Sequence, residues 1–220
     1  MQTRLLDGAI VLIGLLMFGY QMVSTQYLFL GSYEHQAVHL GFIFALLFLN
    51  QARQAAGVFG IISNLVFAVL GVAATGYVLF NIIHLEEVFG YPEPIDVVVG
   101  VVLIGLVVIA TRAAWGWTLP IVAAVFVSYF LWGHYLTGHL HHRPFNFDYV
   151  VSYLSIGLSG IFGTFLGISA NQVFLFVVFG ALLGIIKVND FFLEAGKIAG
   201  KAFRGGPGQT AVVSSGFIGM

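Results

Sequence analysis

Residues 57–83 read GVFGIISNLVFAVLGVAATGYVLFNII, a run without a single Asp, Glu, Lys or Arg. At 1.5 Å per residue a helix needs about 20 apolar residues to cross the hydrocarbon core of a bilayer, and helices buried in soluble cores carry shorter apolar runs. This run is therefore a membrane span. Working outward from it, residues 8–30, 37–50 with their flanks, 95–111 and 116–136 have the same character, and residues 170–186 supply a sixth. The whole chain agrees: of 220 residues 60% are hydrophobic and 8% charged, where an ordinary globular chain is about 25% charged. Mean hydropathy is +1.01. The expectation is an all-α, polytopic integral membrane protein of about six transmembrane helices. The first run is too long for a removable signal peptide and reads as a retained anchor.

Several functions are excluded by what the chain lacks. With a net charge of −1 it has no basic field to hold a phosphate backbone, so no nucleic-acid partner is expected. Without cysteine there is no disulfide framework, thiolate metal site or cysteine nucleophile. G-x-S-x-G, H-E-x-x-H, P-loop and G-x-G-x-x-G patterns are all missing, so the common hydrolytic reactions and ATP-driven transport have no residues to run on. No enzyme, catalytic residue, resident cofactor or metal is expected, and any work must draw on an ion gradient.

Basic residues stay on the cytoplasmic side of a membrane. With the N-terminus inside, Arg4, Arg53, Arg112, Lys187, Lys197, Lys201 and Arg204 all fall inside and only Arg143 falls outside. This asymmetry predicts a multi-pass protein with a cytoplasmic N-terminus. The outer loops carry Glu34, Glu86, Glu87, Glu93 and Asp148, with Asp96 at a helix mouth.

Two stretches are not simple spans. From Phe147, apolar Phe147, Val150, Val151, Leu154 and Leu158 alternate with Asp148, Ser152, Ser155 and Ser159 at helical spacing, with Asn146 or Asp148 available as N-cap. This predicts a short helix lying on the outer interface. It runs into Gly157, Gly160, Gly163 and Gly167, whose spacing fits either a broken helix or close helix packing. Residues 188–203 pattern as an amphipathic cytoplasmic helix with acids early and bases late, closed by Gly205-Gly206-Pro207, as the helix dipole and C-cap preferences favour. Residues 210–220 begin a further apolar segment of half the length a span requires, so the chain is expected to be the first portion of a longer permease.

Few residues invite chemistry. His39 and His84 fall within or near spans, and paired intramembrane histidines can ligate haem, although their depths differ. A hydrogen-bonded packing role is the plainer reading. His134, His139, His141 and His142 cluster in an outer loop without an accompanying carboxylate or cysteine, which makes a polar loop a better reading than a metal site. Arg112 beside Trp115 and Trp117 is an interfacial anchor. Gln21, Ser24, Thr25 and Gln26 form a polar patch in the first span, and Ser63 with Asn64 another in the third, both suited to interhelical hydrogen bonds. Ser214, Ser215, Gly216 and Gly219 place small hydroxyl residues around flexible backbone, an arrangement that can present oxygens to a cation.

These residues, taken together, resemble a known family. Residues 95–112, Gly116-Trp117-Thr118-Leu119-Pro120, Tyr135-Leu136-Thr137-Gly138, His142-Arg143, Gly160-Ile161-Phe162-Gly163 and Leu166-Gly167-Ile168-Ser169-Ala170 look like the N-terminal half of the fused membrane subunits of tripartite ATP-independent periplasmic (TRAP) transporters, of the TAXI type. The likeness is strongest at residues 173–181, Asp190-Phe191-Phe192 and residues 204–216, and it also covers His39-Leu40-Gly41-Phe42. It spans the chain from about residue 35 onward.

The resemblance implies a small four-helix domain over residues 1–112, a connecting helix and outer loop over 113–145, and the beginning of the large transport domain over 146–220. It implies a bacterial inner-membrane permease. A periplasmic TAXI-type receptor would deliver a small carboxylate, and a sodium or proton gradient would drive uptake within a lipid bilayer. Ser214, Ser215, Gly216 and Gly219 match the helix leading into the transport site, and His142 and Arg143 lie in a candidate receptor-docking loop. Where the family has Gly-Pro-Tyr this chain has Gly133-His134-Tyr135, so His134 receives no role. Two other readings stay open: a non-transporting membrane scaffold, and a haem-binding redox subunit resting on His39 and His84.

Overall fold

The computed structural model describes residues 2–27, 30–157, 159–188, 190, 191, 194 and 198. Most of the expected helix over 188–203, and the whole segment 210–220 with Ser214, Ser215, Gly216 and Gly219, lie outside the described residues. The described residues are helical, with no strand among them. The fold is all-α. Helices α1 (Gln2–Gln26), α2 (Ser32–Gln54), α3 (Val58–Phe80), α4 (Ile82–Glu87), α5 (Pro94–Trp115) and α6 (Thr118–Trp132) are followed by two 3-10 turns, Gly133–Tyr135 and Gly138–Leu140. Then come α7 (Phe147–Ser155), α8 (Thr164–Ile168), a π-helical turn (Ser169–Val173) and α9 (Phe174–Ile185).

Among the described residues, five helical stretches are long and apolar enough to cross a membrane: Arg4–Gln26, Val58–Phe80, Pro94–Trp115, Thr118–Tyr135 and Thr164–Ile185. The expected span over 37–50 is the exception in composition, not in length. It lies inside α2, whose 23 residues include Glu34, His35, Gln36, His39 and Arg53. These polar groups are compatible with a span because α2 is the most buried helix, turning Tyr33, His35, Gln36, Ala37, His39, Leu40, Phe44, Ala45, Phe48 and Ala52 away from the surface. Ala55, Ala56 and Gly57 alone join α2 to α3, a linker that forces an antiparallel pair.

The chain divides into two compact units, Met1–Ala170 and Asn171–Met220. In the first, α2 and α3 pack along their lengths through small residues. A Cβ on Gly71 would stand 2.6 Å from the Cβ of Phe44, and one on Gly41 would stand 2.9 Å from the Thr75 hydroxyl. Such close backbone approach is how helices associate where lipid provides no hydrophobic drive. Phe44 stacks on Phe48 at 6.0 Å between ring centroids, and Phe48 meets Phe67 at 5.5 Å. Between α1 and α2, Asp7 pairs with Arg53 at 3.2 Å on the surface.

Helix α5 starts at Pro94, with the Asp96 carboxylate accepting the Glu93 backbone N–H at 2.9 Å, a capping-box contact behind a proline at the first helical position. It ends at Gly116, whose φ of 75° is left-handed, and Arg112 lies 4.5 Å over the Trp117 ring as an interfacial anchor should.

Helix α7 begins where its sequence pattern predicts and buries Val150 and Val151 as that pattern expects, but its buried face is shifted round the helix to take in two serines. Ser152 and Ser155 are fully buried while Phe147 is 55% exposed. The reason is Gly100 on α5, where a Cβ would strike Val151 at 2.8 Å and the Ser155 side chain closer still. A seam this tight admits only small side chains, and the Ser155 hydroxyl satisfies itself on the Val151 carbonyl at 2.6 Å. The helix is thus packed on α5.

In the second unit α9 carries Phe174–Ile185, and Lys187, with φ of 56°, lies just beyond its end.

Candidate functional site: a broken helix seated on α2

The glycine-rich stretch is a break. Between α7 and α8, residues 156, 157 and 159–163 leave the helical path. The chain doubles back so that the Ile161 N–H donates to the Leu154 carbonyl at 2.8 Å and the Gly157 N–H to the Ser152 carbonyl at 2.8 Å. Glycine is required at the fold-back: a Cβ on Gly160 would lie 2.6 Å from the Tyr153 carbonyl oxygen and nearer still to that of Leu154. Both readings of the glycine spacing therefore apply, the break and the close approach.

Buried backbone that leaves the helical path needs other partners for its polar groups. Here α2 supplies them. The Tyr33 hydroxyl donates to the Ile156 carbonyl, and its ring meets Phe162 edge-on at 5.1 Å. Gln36, oriented with its amide nitrogen toward the break, donates to the carbonyls of Phe162 at 3.1 Å and Gly163 at 3.2 Å. The opposite orientation reaches only Ser32 at 3.4 Å and sets the amide oxygen against two acceptors, so the first is physically preferred.

One turn further along α2, the Gln21 amide donates to His39 Nδ1 at 2.7 Å. That bond leaves the ring proton on Nε2, which faces the Ser169 hydroxyl at 3.3 Å. Tyr20 and His35 pair beside it at 2.9 Å. Tyr33, Gln36 and His39, on one face of α2, thus follow the chain from the break to the start of the π-helical turn. Widened turns of that kind occur frequently at functional sites.

A second polar group closes the far end of α3. Asp96, fully buried, accepts from the Tyr77 hydroxyl at 2.7 Å and lies 3.2 Å from His84 Nε2. The two histidines considered for haem therefore belong to separate hydrogen-bonded groups, His39 with Gln21 and Ser169, His84 with Asp96. Ser63 and Asn64 bond back to the Gly60 carbonyl of their own helix, and Ser24 and Thr25 to carbonyls of α1. Of the patch in the first span, Gln21 alone reaches another helix among these bonds.

The histidine loop is tied to α6. His142 sets Nε2 against the Tyr129 carbonyl at 3.0 Å and Nδ1 against its neighbour Arg143's carbonyl at 2.6 Å. A neutral imidazole has one N–H, so two facing carbonyls favour the protonated ring, and they raise its pKa above the ordinary value, Tyr129 more than Arg143. Gly133 allows the approach, since a Cβ there would collide with the His142 ring. His134 Nδ1 is buried without a hydrogen bond. No three His, Cys, Asp or Glu side chains among the described residues are placed to share a metal ion. Arg143 is exposed and stands 5.4 Å over Phe145.

Sequence reasoning marked the glycine stretch as either a break or close packing and picked out the histidine loop, but missed Tyr33 and Gln36 as the clasp of the break, because their partners are backbone carbonyls more than a hundred residues away. Glycines followed by an interrupted span, with uncompensated polar residues on one face of a neighbouring helix, were the available signal. No family model, curated protein or solved structure matches the chain.

Proposed function

We propose that the chain is membrane permease of a secondary transporter of the tripartite ATP-independent periplasmic class, of TAXI type. It takes up small organic acids handed over by a soluble periplasmic receptor and is driven by a sodium or proton gradient across a bacterial inner membrane. The observation that carries this reading is the broken segment 156–163, satisfied by Tyr33 and Gln36 of α2. Interrupted helices with specifically satisfied backbone are a device of ion-coupled transporters, where substrate and ion sites form at discontinuous helices. The positive-inside count favours a cytoplasmic N-terminus. With that orientation His142 and Arg143 lie outside, where a receptor would dock, and the family resemblance alone assigns Ser214, Ser215, Gly216 and Gly219 to the helix leading into the transport site.

The test is uptake of radiolabelled glutamate and 2-oxoglutarate by proteoliposomes holding the full-length protein, with its receptor and an imposed gradient. Accumulation that needs both receptor and gradient supports the reading. Substrate-independent leakage, or none at all with either ion, overturns it and leaves a scaffold role.

A further inference from the structure

Where α5 begins, the loop after α4 and the loop before α7 line an open cavity of about 540 Å³. Its walls are aromatic, from Phe89, Tyr91, Phe145 and Tyr149, and it carries one charge of each sign, Arg143 and Asp148. The rings form a continuous surface: Phe145 stacks on Tyr149 at 5.5 Å and the Arg143 guanidinium lies over Phe145 at 5.4 Å. Among the described residues neither Arg143 nor Asp148 is held in an ion pair. The walls are positioned from behind, since the Gly90 N–H reaches the buried Ser152 hydroxyl at 3.4 Å and Gly90, at φ of 87°, sits against the Tyr149 ring.

A site that offers a guanidinium, a carboxylate and aromatic faces fits a ligand with an anionic and a cationic group a few ångströms apart. Guanidinium suits phosphate oxygens, and an ammonium is drawn to a carboxylate flanked by π faces. The cavity lies at the first residues of a span, Pro94 onward, which is headgroup level in a bilayer, and Tyr91 at its rim is 90% exposed, as interfacial aromatics are. We infer that this cavity binds the headgroup of a zwitterionic phospholipid with a primary amine, its phosphate on Arg143 and its ammonium on Asp148 between the aromatic walls.

The inference goes beyond the transport reading and does not depend on it, because lipid retention is measured without receptor, substrate or gradient. The experiment is native mass spectrometry of the purified full chain, titrated with phosphatidylethanolamine and with phosphatidylglycerol of the same acyl chains. Wild type retains phosphatidylethanolamine preferentially. Arg143→Gln weakens retention of both lipids by about tenfold, the scale of losing one charge-assisted contact. Asp148→Asn abolishes the preference while leaving phosphatidylglycerol bound. Both substitutions are at exposed side chains, and a helical circular dichroism spectrum identical to wild type confirms the fold. Equal retention of the two lipids by wild type, or an Asp148→Asn protein that keeps the preference, overturns the inference. So does soluble phosphoethanolamine displacing the lipid at equal concentration, which would make the cavity a site for a free solute.

Discussion

The side-chain amide of Gln36 reaches the carbonyl of Gly163 at 3.2 Å across most of the length of the first unit. One residue of α2 thereby gives the Phe162 carbonyl a donor and the Gly163 carbonyl, which already accepts from the Gly167 N–H at 3.1 Å, a second one. The contact ties α2 to the break between α7 and α8.

Replacing Gln36 by leucine keeps its volume and removes the donor. Two carbonyls lose this donor, but Gly163 keeps the Gly167 N–H, so the expected cost is that of one buried group, about 1–3 kcal/mol. Hydrogen exchange should quicken at the Ile161 and Gly163 amides and stay unchanged in α5. Uniform protection across the break in the variant would contradict the clasp.

Gly71 and Gly76 lie on the same helix with opposite surroundings. A methyl at 71 meets Phe44, which is 1% exposed, whereas one at 76 meets nothing within 4 Å. Gly71→Ala should lower thermal stability by about 1–3 kcal/mol, the range for overpacking. Gly76→Ala should leave it unchanged or raise it by at most about 1 kcal/mol. The paired unfolding midpoints in detergent check the difference.

Asp96 accepts bonds from Tyr77, from the Glu93 backbone and from the His84 side. Asn retains one acceptor oxygen and alanine none. Asp96→Ala should therefore destabilise by more than Asp96→Asn, with about 1–3 kcal/mol for each buried donor stranded. Equal midpoints for the two variants would contradict this, and midpoints equal to wild type would show that the carboxylate contributes no net stability.

The His142 tie to α6 should depend on pH. Its folded pKa is raised, so the stabilisation is fully present below the ordinary histidine value of about 6.5 and is lost as pH rises through the raised value. Arg143 is the nearest charge along the chain, and Tyr129 and Phe145 face the ring. A single cysteine at His139 should react with maleimide more slowly at pH 6 than at pH 8.5, after correction for thiolate fraction. His142→Gln should erase the difference.

The spans were legible because each is long and nearly free of charge, a signal that survives without knowledge of partners. Residues 57–83 and 95–111 fall on α3 and α5, 116–136 on α6 and its first turn, and 170–186 on the later part of Thr164–Ile185. The start of α7 was legible too, from period and from Asn146. Its buried face was not, because Ser152 and Ser155 look polar until Gly100 brings a backbone against them. The clasp was illegible for the same reason: Tyr33 and Gln36 bond to carbonyls, which carry no residue identity. His142 was visible as part of a histidine cluster, but only folding turns it onto the Tyr129 carbonyl.

The account depends on α2 crossing the membrane with the broken segment at its N-terminal end, although α2 is the least apolar of the long helices. With no native cysteine, the most direct measurement is impermeant-maleimide labelling of single cysteines at Ser32, Ala56 and Ser159, all exposed, in sealed vesicles of known orientation. The account predicts Ser32→Cys and Ser159→Cys labelled from one face and Ala56→Cys from the other. Labelling of positions 32 and 56 from the same face would contradict it.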